Sequence, residues 1–162
     1  MRTAALTETD AWRALHEVKD PEIPVIDVVE MGIVRDVRVD DDTVTVDFTP
    51  TFSGCPALEV MRREIRASLK DLGFAHVAVN TVLYPPWTTR WLTAEAKQKL
   101  QRFGIAPPGK TGSLIDLETA PPRCPRCRSF DTRMTSTFGS TLCKSIHVCN
   151  ACLEPFEGFK SV

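Results

Sequence analysis

The chain has no apolar run near the roughly 20 residues of a membrane-spanning helix, so a helical span is excluded. Its first residues, MRTAALTETDAW, lack the apolar core of an export signal, and a cytoplasmic protein is expected. It also has little net charge. Its 20 basic and 21 acidic side chains leave −1, which gives no general attraction to a polyanion; neither nucleic acid nor a membrane surface is an expected partner. There is no Gly-rich dinucleotide loop, no Walker A sequence and no Glu-x-x-His pair, so no nucleotide fold or four-helix di-iron carboxylate set is expected. Six cysteines in 162 residues are too few for a disulfide-built scaffold. Without an export signal they are expected as thiols or metal ligands.

Those cysteines are unevenly placed. Cys55 stands alone in the first 120 residues, while Cys124, Cys127, Cys143, Cys149 and Cys152 crowd the last 40. Charge changes in the same place: residues 1–106 carry 13 basic and 16 acidic side chains, net −3, and residues 107–162 carry 7 and 5, net +2. Between them run Ala106-Pro107-Pro108-Gly109 and Ala120-Pro121-Pro122-Arg123, whose paired prolines favour extended backbone. The expected organisation is a domain over 1–106, a proline-rich tether over 107–121 and a second domain over 122–162.

In the first part, residues 8–18 read as a short helix, stopped by Asp20-Pro21-Glu22-Ile23-Pro24. Ile33–Val39 and Val44–Phe48 alternate apolar and polar residues around Asp40-Asp41-Asp42, a hairpin pattern. A helix follows Pro56, with Leu58, Met61, Ile65, Leu69 and Leu72 on one face and Gly73 at its end. A strand over 76–83 and a helix over 93–103, closed by Gly104, complete a small two-layer α+β domain of order α-β-β-α-β-α.

Cys55 stands where the second helix begins. Unpaired N–H groups and the helix dipole there favour an anion and are expected to lower the thiol pKa, making Cys55 a candidate metal or nucleophilic thiol; the alternative is a small residue filling the junction. Ser53 and Gly54 allow close backbone approach, and no histidine neighbours Cys55 in the sequence. Asp20 and Glu22 flank Pro21 and could hold a cation or simply face solvent. Trp87 and Trp91 read as packing over a sheet edge.

The second part contains two C-x-x-C pairs, Cys124/Cys127 and Cys149/Cys152, with 21 residues between them. Each such turn aims two sulfurs at one point, and two turns supply a tetrahedral set of four thiolates. Strand-like pieces at Met134–Phe138 and Ser145–Val148 around Gly139 give the layout of a zinc ribbon. About 40 residues cannot hold together on an apolar core alone, so the metal is expected to supply stability. Zinc leads, and iron or a cluster would use the same ligands. Arg126 and Arg128 are expected as donors to sulfur, and Cys143, followed by Lys144, is left as a spare thiol or an exchanging ligand.

Asp20-Pro21-Glu22-Ile23-Pro24-Val25, Met31-Gly32-Ile33-Val34, Pro50-Thr51 with Ser53-Gly54-Cys55-Pro56, and Gly104-Ile105-Ala106-Pro107-Pro108 together resemble the Fe–S-assembly domain of SufT-like proteins and eukaryotic cytosolic iron–sulfur targeting factors. Joined to Phe138-Gly139-Ser140-Thr141-Leu142-Cys143-Lys144 and Glu154-Pro155-Phe156, the chain resembles the PaaD (PaaJ) component family of the bacterial phenylacetyl-CoA epoxidase, over about residues 20–160. The resemblance implies an accessory, non-catalytic role in aerobic phenylacetate degradation, assisting assembly or repair of Fe–S or iron centres in the oxygenase or its reductase. An adaptor subunit without chemistry is the alternative. It also implies functional thiols at Cys55 and Cys143, with Asp20 and Glu22 as accessory groups, a structural zinc on the four paired cysteines, and transient carriage of iron or a cluster. The implied partners are the other oxygenase subunits; pairing of two copies through sheet edges stays open. The family pattern often has a further cysteine after the final Phe-Lys, where this chain has Ser161.

Overall fold

Thr7 opens helix α1 (Glu8–Leu15) with a reciprocal cap: its hydroxyl accepts the Asp10 N–H at 3.3 Å while the Asp10 carboxylate accepts the Thr7 N–H at 3.1 Å. The computed structural model describes residues 5–52, 54–109 and 121–161. The helix stops three residues short of expectation, because Glu17 and Val18 donate to carbonyls only three residues back, which tightens the last turn. The chain divides into two compact units, Met1–Trp87 and Thr88–Val162.

In the first unit, strands β1 (Val34–Asp40) and β2 (Thr43–Phe48) form the expected antiparallel hairpin, with Asp41 in the left-handed region at φ 51°. Helix α2 (Ala57–Leu72) then carries the chain across to β3 (His76–Thr81), which runs parallel to β2. The sheet order is β1-β2-β3. Central β2 buries Val44, Val46 and Phe48 in strict alternation, and α2 buries Ala57, Met61, Ile65 and Leu69. α1 packs on α2 and β1, and the Ser68 hydroxyl of α2 donates to the Ala14 carbonyl at 3.0 Å. This is the two-layer α+β arrangement expected. Pro56 is the N-cap of α2 rather than its first helical residue. Trp87 is buried, its indole N–H donating to the Met31 carbonyl at 2.9 Å.

The second unit holds a 3-10 turn at Thr89–Trp91, helix α3 (Ala94–Phe103) and strands β4 (Ile105–Ala106), β5 (Thr132–Ser136), β6 (Lys144–Cys149) and β7 (Pro155–Phe159). Its sheet order is β4-β7-β6-β5; β6 is antiparallel to both neighbours, and β4 joins β7 in parallel. α3 and β4, read from the sequence with the N-terminal domain, therefore fall in this unit. β7 is hidden in the sequence by Pro155 and Gly158, two residues that read as strand breakers. Pro155 is the strand's first residue, and Gly158 lies opposite Ser145, where a Cβ would come within 3.1 Å of the His147 ring. Most of the 107–121 tether lies outside the described residues, as does Ser53. Among the described residues, no helix is long and apolar enough to cross a membrane.

Candidate metal centre and thiol site

The two C-x-x-C turns are built alike. In each, the first cysteine's carbonyl accepts an N–H from four residues on, Arg128 to Cys124 at 3.0 Å and Leu153 to Cys149 at 2.9 Å. In each, that cysteine's own N–H reaches a carbonyl five residues on, Ser129 at 2.9 Å and Glu154 at 3.0 Å. Closing the turn this way forces the fourth residue into the left-handed region, with Arg128 at φ 64° and Leu153 at φ 62°. Neither is a glycine, so each turn carries about 1–2 kcal/mol of local strain.

The result is convergence. The four sulfurs of Cys124, Cys127, Cys149 and Cys152 all lie within 4.8 Å of one another, with Cys124–Cys152 at 3.8 Å and Cys127–Cys149 at 3.5 Å. A tetrahedral zinc–thiolate site with bonds of about 2.3 Å has sulfur–sulfur edges of about 3.8 Å. The donor set therefore fits zinc in both chemistry and spacing.

The protonation of these thiols points the same way. Cys149 is lowered to about 7, first by the Cys152 N–H and further by Cys127 and the Ala151 N–H. The Glu154 N–H works to hold Cys152 down, but burial and the three neighbouring thiols push it up to about 12. Four sulfurs this close cannot all ionise unless a cation sits among them. Cys124, Cys149, Phe156 and Ala106 form the small apolar cluster around this end of the sheet, with Cys152 against it.

Two expectations about the surroundings are refined. Backbone N–H groups are the hydrogen-bond donors to the Cys149 and Cys152 sulfurs, while Arg126 pairs with Glu154 and acts on Cys152 and Cys124 through its charge alone. Cys143 is no exchanging ligand: it precedes β6 while Cys149 ends it, about 20 Å along an extended strand. Its thiol is buried and lies 3.1 Å from the Thr141 hydroxyl. His147, also buried, hydrogen-bonds Ser145 at 2.8 Å and stacks on Phe156.

Cys55 follows the end of β2 and directly precedes the Pro56 cap of α2. It is half-buried. Its pKa is raised, contrary to the expectation from helix position. Burial is the largest cause; the Ala57 and Leu58 N–H groups pull it down, but the Glu22 and Asp20 carboxylates add to the upward push. Sequence reasoning missed that opposition because Asp20 and Glu22 arrive from the loop before β1. Both carboxylates act on the thiol electrostatically from that loop. Asp20 is itself buried, its Oδ1 accepting the Glu22 N–H at 2.7 Å and the Ile23 N–H at 2.9 Å. Among the described residues, the four paired cysteines are the set in which three or more such side chains converge closely enough for an ion, and Cys55, Asp20 and Glu22 do not form one. His76 stands at the start of β3, at the opposite end of the sheet from the loop after β2. That placement leaves His76 out of reach as a base for Cys55.

Comparison with known proteins agrees with this arrangement. A family model described as "PaaD zinc beta ribbon domain" matches residues 110–160, and one described as "Iron-sulfur cluster assembly protein" matches residues 8–80. A protein of Escherichia coli (strain K12), provisionally named as one of the subunits of 1,2-phenylacetyl-CoA epoxidase, is 42% identical over 94% of this chain and 92% of its own length. The chain belongs to the PaaD family. The N-terminal half of this PaaD-family chain is also similar to the Fe-S protein maturation auxiliary factor YitW of Bacillus subtilis (strain 168), with 38% identity over 52% of this chain and 83% of that one. Among solved structures, the conserved hypothetical protein TM0487 from Thermotoga maritima matches at a TM-score of 0.54 and 31% identity, covering 60% of this chain and 97% of that one.

Proposed function

We propose that this PaaD-family protein is an accessory component of a phenylacetyl-CoA epoxidase system that assists assembly or repair of an iron or Fe–S centre in another subunit. The observation that carries the reading is that Cys55 lies under the electrostatic influence of Asp20 and Glu22, in the unit similar to Fe–S maturation factors. Thiol and carboxylate are ligand types that iron accepts, and because Cys55, Asp20 and Glu22 are not assembled into a closed site they suit a cargo that must leave again. Iron or a cluster is here the substrate. The ribbon's zinc is resident and structural, held by Cys124, Cys127, Cys149 and Cys152.

The decisive experiment replaces Cys55 by Ser in the full chain, co-expressed with the epoxidase subunits. The variant is expected to keep its zinc and its circular dichroism while the client subunits lose iron or acid-labile sulfide, down to the level seen without the protein. Full client occupancy with Cys55→Ser would sink the proposal. A second reading, an adaptor without chemistry, draws on the exposed Phe130, Met134, Phe138, Leu142 and Leu153 of the ribbon. It predicts stable co-purification with other subunits and indifference to Cys55→Ser.

A further inference from the structure

Helix α3 presents Gln98, Gln101 and Arg102 on one face, at the i, i+3, i+4 spacing that makes helical neighbours. The first C-x-x-C turn brings Pro125 and Arg128 to the same place, and these five residues line a cleft of about 270 Å³. All of it lies within the second unit.

The arginines around this turn fall into two kinds. Arg126 pairs with Glu154, and Arg123 lies over the Phe130 ring at 5.0 Å. Arg102 and Arg128 have no side-chain hydrogen bond or ion pair to any described residue, and they share the cleft. Arg128 is also fixed at its root: its N–H donates to the Cys124 carbonyl at 3.0 Å, and its carbonyl accepts the Arg123 Nε–H at 2.5 Å. The acid on α3's first turn, Glu95, is already taken by Lys99 at 3.6 Å. Two guanidinium groups with no ion-pair partner among the described residues, flanked by two carboxamides, line a donor-rich cleft.

We propose that this cleft is a binding site for a doubly charged oxyanion, a phosphate monoester group on a small molecule. Each guanidinium offers a planar fork of N–H donors that matches two oxygens of one anion. Two forks and a −2 charge are matched by phosphate, whereas a lone carboxylate saturates one fork and leaves the other bare. The cleft has room for the phosphate and a few atoms of what bears it. This site is independent of Cys55 and of the maturation reading.

The test is a ¹H–¹⁵N titration of the zinc-loaded full chain with inorganic phosphate, with sodium acetate and sodium chloride at matched ionic strength as controls. The expected result is a saturable shift with phosphate, centred on the Arg102 and Arg128 Nε–H and the Gln98 and Gln101 amides, with half-saturation on the order of millimolar. Arg128→Gln and, separately, Arg102→Gln should each weaken it about tenfold, the effect of one lost charge-assisted contact. Arg102 is exposed on a helix, so its variant tests the site even if the Arg128 variant disturbs the metal turn. Equal shifts with phosphate, acetate and chloride, or phosphate shifts unchanged in Arg102→Gln, would overturn the assignment.

Discussion

The Cys55 thiol receives N–H groups from Ala57 and Leu58 and feels the charge of the Glu22 and Asp20 carboxylates, so its own charge is a balance of opposing fields set in a half-buried place. The helix start alone would have made it an acidic thiol; burial and the acids reverse that. Removing one acid should shift the balance back. Glu22→Gln is expected to lower the Cys55 pKa, raise its thiolate fraction, and speed alkylation by iodoacetamide at pH 8 roughly two- to fivefold, less than the tenfold of a full pKa unit. An unchanged rate would show that Glu22 does not act on the thiol. At the metal turn, Leu153 is an exposed leucine held at φ 62°. Leu153→Gly should relieve that strain and stabilise the zinc-loaded protein by about 1 kcal/mol less the glycine's extra unfolded-state entropy, read as a rise in its thermal midpoint. A fall in the midpoint would mean the leucine makes up its strain by contacts.

At the scale of elements, the loop between α1 and β1 has no regular structure yet is held by buried carboxylates. Asp27 Oδ1 accepts the Val29 and Glu30 N–H groups at 2.9 and 2.8 Å, and Glu30 accepts the Asp27 N–H at 3.1 Å. Burial pushes the Asp27 carboxyl up, but these N–H groups and His16 overcome it and hold the pKa below its ordinary value. Its stabilisation is therefore complete above the unfolded value of about 4 and is lost as pH falls through the lower folded value. Asp27→Asn should cost about 2 kcal/mol at pH 7 in urea unfolding, with the gap to the parent closing in acid. In the ribbon, Lys144 is buried against Glu157 at 2.9 Å, and Glu157 also accepts the Ser140 N–H at 2.7 Å. Glu157→Gln strands a buried ammonium and should expose the β6 amides to hydrogen exchange by about 3 kcal/mol; Lys144→Met, which strands a partly exposed acid, should cost less. The reverse order would place the ion pair's weight on Glu157. These loops also mark where the sequence stops being readable. The alternation of Val44, Val46 and Phe48, the Met61-Ile65-Leu69 face and the paired C-x-x-C turns are local patterns, and each can be read in place. β4 is two residues long and finds β7 some fifty residues later, β7 hides behind Pro155 and Gly158, and the acids that govern Cys55 come from another loop. Nothing local encodes such meetings.

For the molecule as a whole, the two units rest on different physics. The first has a conventional apolar core, in which Leu15, Ile23, Ile26, Phe48, Ile65 and Leu69 are wholly buried. In the second, Cys124 and Cys149 cluster with Ala106 and Phe156 at the metal end, while Leu92, Ala96 and Leu100 are buried near its helix, and the outer strand β5 is largely exposed. A metal bound to thiolates that do not converge in the unfolded chain converts its binding energy into folding energy, about 10–16 kcal/mol in small zinc modules. Zinc removal should therefore act on one unit. Purified full-length protein is expected to contain one zinc per chain and no visible absorption band. Titration with a thiol-reactive mercurial should release that zinc and collapse the dispersed ¹H–¹⁵N signals of β5, β6 and β7, while signals from β1, β2, β3 and α2 persist. Cobalt substitution should give the intense d–d bands of a tetrahedral tetrathiolate, and Cys149→Ser should lose them. Loss of signals from both units together would mean that the first unit needs the metal for its own folding. A brown protein containing sulfide would instead move the four ribbon cysteines from structure into the chemistry of cluster transfer.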